Sequence, residues 1–127
     1  MFKRIDHVEI VPVDFEKTYK FYTEVLGFKE KSRMKMDRPP MQEIVFAELN
    51  NSVIEFLRLD NPPPGAEGVM HAGYIRIALE VEDMDKAVAY LKENGVTISR
   101  EPMDLGSSKR GEILDPDGLS IELRQWK

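Results

Sequence analysis

A pattern read once between Ile5 and Arg58 is read again between Tyr74 and Lys127. Each copy opens with a short alternating strand and continues through an Asp-capped helix that ends at a glycine. Each closes on a turn followed by an alternating strand with one acid at its middle. In the first copy the closing stretch is Asn50-Asn51-Ser52-Val53-Ile54-Glu55-Phe56-Leu57-Arg58; in the second it is Asp115-Pro116-Asp117-Gly118-Leu119-Ser120-Ile121-Glu122-Leu123-Arg124. Laid over one another at an offset of about 69 residues, His7 falls on Arg76, Asp14 on Asp83 and Lys17 on Lys86, and Glu55 meets Glu122 after a small drift. A repeat of this kind restricts the fold sharply. One βαβββ unit leaves one face of its four-stranded sheet bare, and a second unit is the simplest way to cover and shape it.

The local signals agree within each unit. Asp14 and Asp83 stand where helix N-caps belong. Phe15, Tyr19 and Tyr22 form one apolar stripe, and Met84, Ala87, Val88 and Leu91 the other; Gly27 and Gly95 stop the two helices. Strands are expected over residues 5–11, 28–36, 42–49 and the Glu55 stretch in the first unit. In the second they are expected over 74–81, at 96–99, over 111–114 and over 119–125. The units, 1–59 and 73–127, are joined by residues 60–72, whose three consecutive prolines rule out helix or central strand.

Composition narrows the functions. With 127 residues, 42% hydrophobic and 32% charged, the chain is one domain's worth with a soluble surface. A net charge of −5 and the lack of any basic run argue against a nucleic-acid partner. No cysteine is present, which excludes disulfides, thiolate zinc sites and a cysteine nucleophile. Charges stand where a signal peptide's apolar segment would lie, and no stretch approaches the ~20 apolar residues that span a bilayer. A cytoplasmic protein with no membrane partner is expected.

Four residues sit at equivalent points of the two units, on the strand face turned from the helices: His7, Glu55, Arg76 and Glu122. An acid in mid-strand on that face asks for solvent, a counter-charge, a metal or a ligand. The plain alternative for Glu55 and Glu122 is pairing with Arg76, Arg58 or Arg124.

IDHVEI, FYTEVLGF, IALEVEDMDKAVAYLKENGV and LDPDGLSIEL, in this order and spacing, resemble the vicinal-oxygen-chelate superfamily, the group of glyoxalase I, bleomycin-resistance proteins and extradiol dioxygenases. The resemblance spans essentially the whole chain and is nearest the glyoxalase I-like branch. It implies an α+β fold of two tandem βαβββ modules whose curved sheets enclose a cavity, in a homodimer. It also implies a divalent metal (Ni, Zn, Co or Mn), with no nucleotide or flavin, and a small-molecule ligand in the cavity. The family's metal positions fall on His7, Glu55 and Glu122, with Arg76 where a second histidine would stand.

Arg76 changes the chemistry of that site. A guanidinium neither deprotonates nor ligates. At ~5 Å from a divalent ion its repulsion is roughly 7 kcal/mol at an effective dielectric of about 20. Without a metal, Arg76 would itself be the cavity's cation and the stabiliser of an oxyanion. His71, five residues earlier, is a conceivable substitute ligand. The resemblance implies a lyase or isomerase of the lactoylglutathione-lyase kind, acting on a small oxygen-rich substrate or thiol conjugate through an enediolate-type intermediate. Glu122 would be its base and Glu55 the second carboxylate. The alternative is a metal-free protein that sequesters a drug or other small molecule, as bleomycin-resistance proteins do.

Overall fold

The computed structural model describes Met1, residues 3–64 and residues 72–127. His71 and part of the proline-rich connector therefore lie outside the described residues. The chain divides into two compact units, Met1–Gly65 and Ala66–Lys127.

In the first unit β1 (Val8–Ile10) leads to α1 (Phe15–Lys20), which continues as a π-helical turn over Phe21–Val25, and then to β2 (Lys29–Arg38), β3 (Met41–Leu49) and β4 (Ser52–Leu59). The second unit repeats the order with β5 (Ile77–Glu80), α2 (Met84–Glu93), β6 (Ile98–Asp104), β7 (Ser108–Leu114) and β8 (Ser120–Trp126). The sheets run β1-β4-β3-β2 and β5-β8-β7-β6. In each, the first strand crosses over to lie parallel to the last, and the other pairs are antiparallel. This is the α+β architecture of tandem βαβββ modules expected from the repeat.

The registers match as closely as the order. Val8 pairs with Ile54 and Glu9 with Glu55; Ile77 pairs with Ile121 and Ala78 with Glu122. His7 and Arg76 are thus the residues immediately preceding equivalent ladders. Both opening strands are shorter than their alternation suggests. β1 has three residues and β5 four, so residues 5–7 and 74–76 approach the sheet without joining the ladder. β6 is longer than expected, reaching Asp104 through register shifts on either side of Arg100.

The helices start where their caps predict. Asp14 accepts from the Lys17 amide at 3.2 Å and Asp83 from the Lys86 amide at 3.0 Å. α1 widens near its end: the Leu26 amide reaches the Phe21 carbonyl at 3.1 Å and the Phe28 amide the Tyr22 carbonyl at 2.9 Å. Phe21 and Tyr22 are both buried, so this helix covers its sheet with more than the Phe15/Tyr19/Tyr22 stripe. Tyr22 meets Phe56 and Phe28 edge-on, with ring centroids 5.2 and 5.9 Å apart, over a floor of Val45, Ala47 and Ile54.

In the second unit Met84, Val88 and Leu91 lie buried with Ile113, Ile121 and Leu123. Gly111 leaves room on that face: a Cβ there would sit 3.6 Å from the Met84 sulfur and 3.4 Å from the Arg100 carbonyl oxygen. The closing turn is organised by Asp115, whose carboxylate accepts from the Asp117 and Leu119 amides at 2.9 Å each, while Gly118 takes a φ of +83°. Burying one face of each sheet under its helix leaves the period-two partners of those core residues on the other face.

Candidate functional site

On the open face of the first sheet, register decides the neighbours. β1 runs parallel to β4 with Glu9 opposite Glu55, so two carboxylates project side by side. His7, two residues before Glu9, shares that face. Its Nε2 lies 2.9 Å from Glu55 Oε2 and 3.8 Å from Glu9 Oε1. Its Nδ1 is 3.0 Å from Asp6 Oδ2, and its ring meets Phe46 edge-on at 5.4 Å. The imidazole is therefore oriented from one side by a carboxylate and presents its other nitrogen to the acidic pair.

The electrostatics follow from this crowding. Glu55 is only 7% exposed. Burial first, then the hydrogen bond and charge of Glu9, push its carboxyl above the usual glutamate value, with His7 acting against them. The Asp6 hydrogen bond raises the His7 imidazole; burial opposes it, and Glu55, Asp6 and Glu9 add their charge.

His7, Glu9 and Glu55 each offer one donor atom, and these lie within 4.8 Å of one another. Bonds of about 2.0–2.2 Å to a divalent ion keep neighbouring donors roughly 3–4 Å apart. The cluster's spread of up to 4.8 Å lies near that spacing, and one imidazole with two carboxylates suits Zn²⁺, Ni²⁺, Co²⁺ or Mn²⁺. The residues fit a cation.

The second sheet carries different chemistry at the same points. Arg110, Glu112, Ser120, Glu122 and Arg124 alternate with the buried Gly111, Ile113, Ile121 and Leu123, so they stand on the face away from α2. Glu122 accepts from Arg110 Nε at 2.8 Å on one oxygen, and from Arg124 Nε and a terminal nitrogen at 2.9 and 2.5 Å on the other. Burial pushes the Glu122 carboxyl up, but the hydrogen bonds and charges of Arg110 and Arg124 outweigh it and hold the group below its ordinary value.

Arg76 does not reach Glu122. It donates to Glu112 Oε1 at 2.6 Å, and Arg110 reaches the same oxygen at 2.5 Å. Both oxygens of Glu122 are thus engaged by guanidinia, and the position matched to a second histidine is an arginine with its own carboxylate. Among the described residues of this unit, no donors group as His7, Glu9 and Glu55 do in the first.

Of the residues singled out in the sequence, His7 and Glu55 are brought together, Glu122 is joined to Arg124 and Arg110, and Arg76 goes to Glu112. Arg58 turns to the helix side, over the Phe15 ring at 4.1 Å, and pairs with Glu16 and Glu43. The sequence reading missed Glu9 and Glu112. The period-two rule already put Glu9 on the face of His7, and counting back from the Asp115–Gly118 turn puts Glu112 opposite Glu122. Neither stands at a position the repeat marks, because module two has Ala78 where module one has Glu9.

Comparison with known proteins agrees with this architecture. The family model of the Glyoxalase/Bleomycin resistance protein/Dioxygenase superfamily matches residues 4–123. The uncharacterized protein YaeR of Escherichia coli (strain K12) is 30% identical over 122 residues, 95% of this chain and 95% of that protein. Mitochondrial methylmalonyl-CoA epimerase of Bos taurus is 29% identical over 130 residues, 96% of this chain and 74% of that protein. The crystal structure of a glyoxalase family protein from Enterococcus faecalis superposes with a TM-score of 0.83 at 27% identity, covering 97% of this chain and 98% of that one. With the repeat, the two sheet orders and the family match in agreement, this chain belongs to the Glyoxalase/Bleomycin resistance protein/Dioxygenase superfamily, the vicinal-oxygen-chelate proteins.

Proposed function

We propose that this protein is a proton-transfer enzyme of the lyase or isomerase kind. It acts on a carbon next to a carbonyl in a small oxygen-rich substrate or thiol conjugate, through an enediolate-type intermediate. The observation that carries this reading is the Glu9/Glu55 carboxyl pair with His7 on the open face of the first sheet. Similarity to an enzyme named as an epimerase supports it, since inverting such a carbon requires a proton to leave and return.

The geometry supports the following roles. Burial and the neighbouring Glu9 raise the Glu55 carboxyl, which suits it to accepting a proton. Glu9, with a side chain 59% exposed, is the member a substrate can meet, and the buried Glu55 is its partner. The substrate's C–H bond breaks, the proton passes to the pair, and the electron pair moves onto the carbonyl oxygen; the reverse step returns the proton to carbon. His7, anchored by Asp6, holds the Glu55 carboxyl in place. A divalent cation, which His7, Glu9 and Glu55 would hold, would supply polarisation of adjacent substrate oxygens. Glu122, whose carboxyl Arg110 and Arg124 hold below its ordinary value, is a weaker base than Glu55.

The test is solvent-deuterium incorporation, followed by NMR, at the carbon next to the carbonyl. The panel comprises a 2-oxoaldehyde thiohemiacetal and a 2-substituted acyl thioester, each with the chelator-stripped protein and with added Ni²⁺, Zn²⁺, Co²⁺ or Mn²⁺. The native chain is expected to exchange at least one of them, and Glu9→Gln and Glu55→Gln each to lose about 10²–10⁴-fold in rate. Equal exchange by Glu55→Gln would overturn the assignment of the carboxyl pair, and none by the native chain under any condition would replace the reading with sequestration of a small molecule.

A further inference from the structure

On the face of the second sheet turned from α2, the cross-strand register sets like charges side by side. In register, Arg110 stands opposite Arg124 and Glu112 opposite Glu122, so like charges face each other directly across the β7–β8 pair. A sheet face arranged for stability puts opposite charges there. Here the attractive contacts run diagonally and along the strands instead, and the carboxylates are used up before the guanidinia are. Glu112 Oε1 alone is approached by Arg76 at 2.6 Å, Arg110 at 2.5 Å and Arg100 at 3.5 Å. Its other oxygen lies 3.5 Å from Ser120 Oγ, and both oxygens of Glu122 are taken by Arg110 and Arg124.

Four guanidinia therefore share two carboxylates. Glu80, exposed and in register with Arg124, is the other acid on this face, and no ion pair joins the two. The excess is partly shielded from water: the side chains of Arg76, Arg110 and Arg124 are 13%, 22% and 22% exposed, and Arg100 is the open one at 51%. Arg76 Nε is buried without a hydrogen-bond partner among the described residues. Like charges brought together with unused planar donors are costly to hold unless an anion completes them. The chain's overall charge is −5, so this excess is local and not part of a basic surface.

We propose that this face is a binding site for a compact dianionic oxyanion, a phosphate monoester or a dicarboxylate. Arg76, Arg100, Arg110 and Arg124 supply the donors, Glu122 holds Arg110 and Arg124 in place, and Glu112 occupies the donors that the anion would take. The site goes beyond the proton chemistry assigned to His7, Glu9 and Glu55, and it identifies the charged handle by which a ligand is held.

The experiment is titration of the full chain with inorganic phosphate and, separately, with malonate, followed by calorimetry and backbone NMR. Saturable binding at one site is expected, with shifts confined to residues of β5 to β8. Arg100→Gln removes an exposed donor and leaves the fold intact, and should weaken binding about tenfold. Glu112→Gln removes the internal competitor and should strengthen it by a similar factor. A purely structural network would instead give a less stable chain with no gain in affinity. Divalent-metal binding by the first module, measured on the same variants, should stay at the native level, which separates failure of this site from failure of the proposed proton chemistry. No saturable binding of either anion, or affinities unchanged in Arg100→Gln and unimproved in a folded Glu112→Gln, would overturn the proposal. If Glu112→Gln does not fold, the Arg100→Gln comparison decides alone.

Discussion

Glu55 and Glu122 occupy equivalent positions in the repeat and have opposite electrostatics. Glu55 is raised by burial and by Glu9; Glu122 is lowered because Arg110 and Arg124 outweigh its burial. The consequences for stability have opposite signs. A carboxyl whose folded value is depressed contributes stability above its unfolded value near 4.5 that is lost as the pH falls through the lower folded value. A raised one contributes below its unfolded value near 4.5, and that contribution is lost as the pH rises through the higher folded value. Glu122→Gln should therefore lower the melting temperature at pH 7, with the deficit shrinking below about pH 4.5. Glu55→Gln should leave it unchanged or raise it at pH 7 and lose that advantage in acid. Thermal melts of the two variants between pH 3 and 8 check both signs. A destabilising Glu55→Gln at pH 7 would mean that the pair with Glu9 is structural.

At the scale of elements, each helix seals one face of its sheet and leaves the mid-strand acids on the other. α1 needs its cap, because six α-helical residues and one wide turn make few internal bonds of their own. Asp14→Ala should cost about 1 kcal/mol in urea unfolding, with no change in deuterium exchange, since Asp14 belongs to the helix side. The parallel crossover contributes as much as the helix. Pairing β1 with β4, and not with its neighbour in sequence, sets Glu9 beside Glu55 across 46 positions of chain. In module two the same crossover sets Ala78 beside Glu122, and the hairpin β7–β8 supplies the second acid instead. One scaffold thus presents an acidic pair with a histidine in one copy and an arginine-rich face in the other.

For the whole molecule, the sign of the long-range field differs from that of the second module's open face. Net charge is −5, whereas that face carries more guanidinia than carboxylates. Screening reaches about 8 Å at 0.15 M salt and about 30 Å at 0.01 M. Lowering the salt therefore lets the acidic remainder of the chain act on an approaching dianion. The association rate for phosphate should fall as salt is withdrawn, the reverse of the behaviour of a basic protein. Rapid-mixing kinetics across that range of ionic strength measure it, and a rate that climbs steadily at low salt would contradict it. No helix among the described residues is long and apolar enough to cross a membrane.

Much of this was legible in the sequence. Caps, stripes and stop glycines act within a turn or two of chain, so Asp14, Asp83, Gly27 and Gly95 announced both helices. The mid-strand acids at a fixed spacing announced the repeat and the fold, and drew attention to Glu55 and Glu122. Alternation also settled which face each residue takes, because a pleat reverses side chains at every step whatever the strand pairs with. It could not settle who stands beside whom. That depends on the register of strands far apart in sequence, and register placed Glu9 against Glu55 and Glu112 against Glu122, and sent Arg76 to Glu112. The opposite shifts of Glu55 and Glu122 are set by distances of a few ångströms to those neighbours, and only the tertiary structure decides such distances.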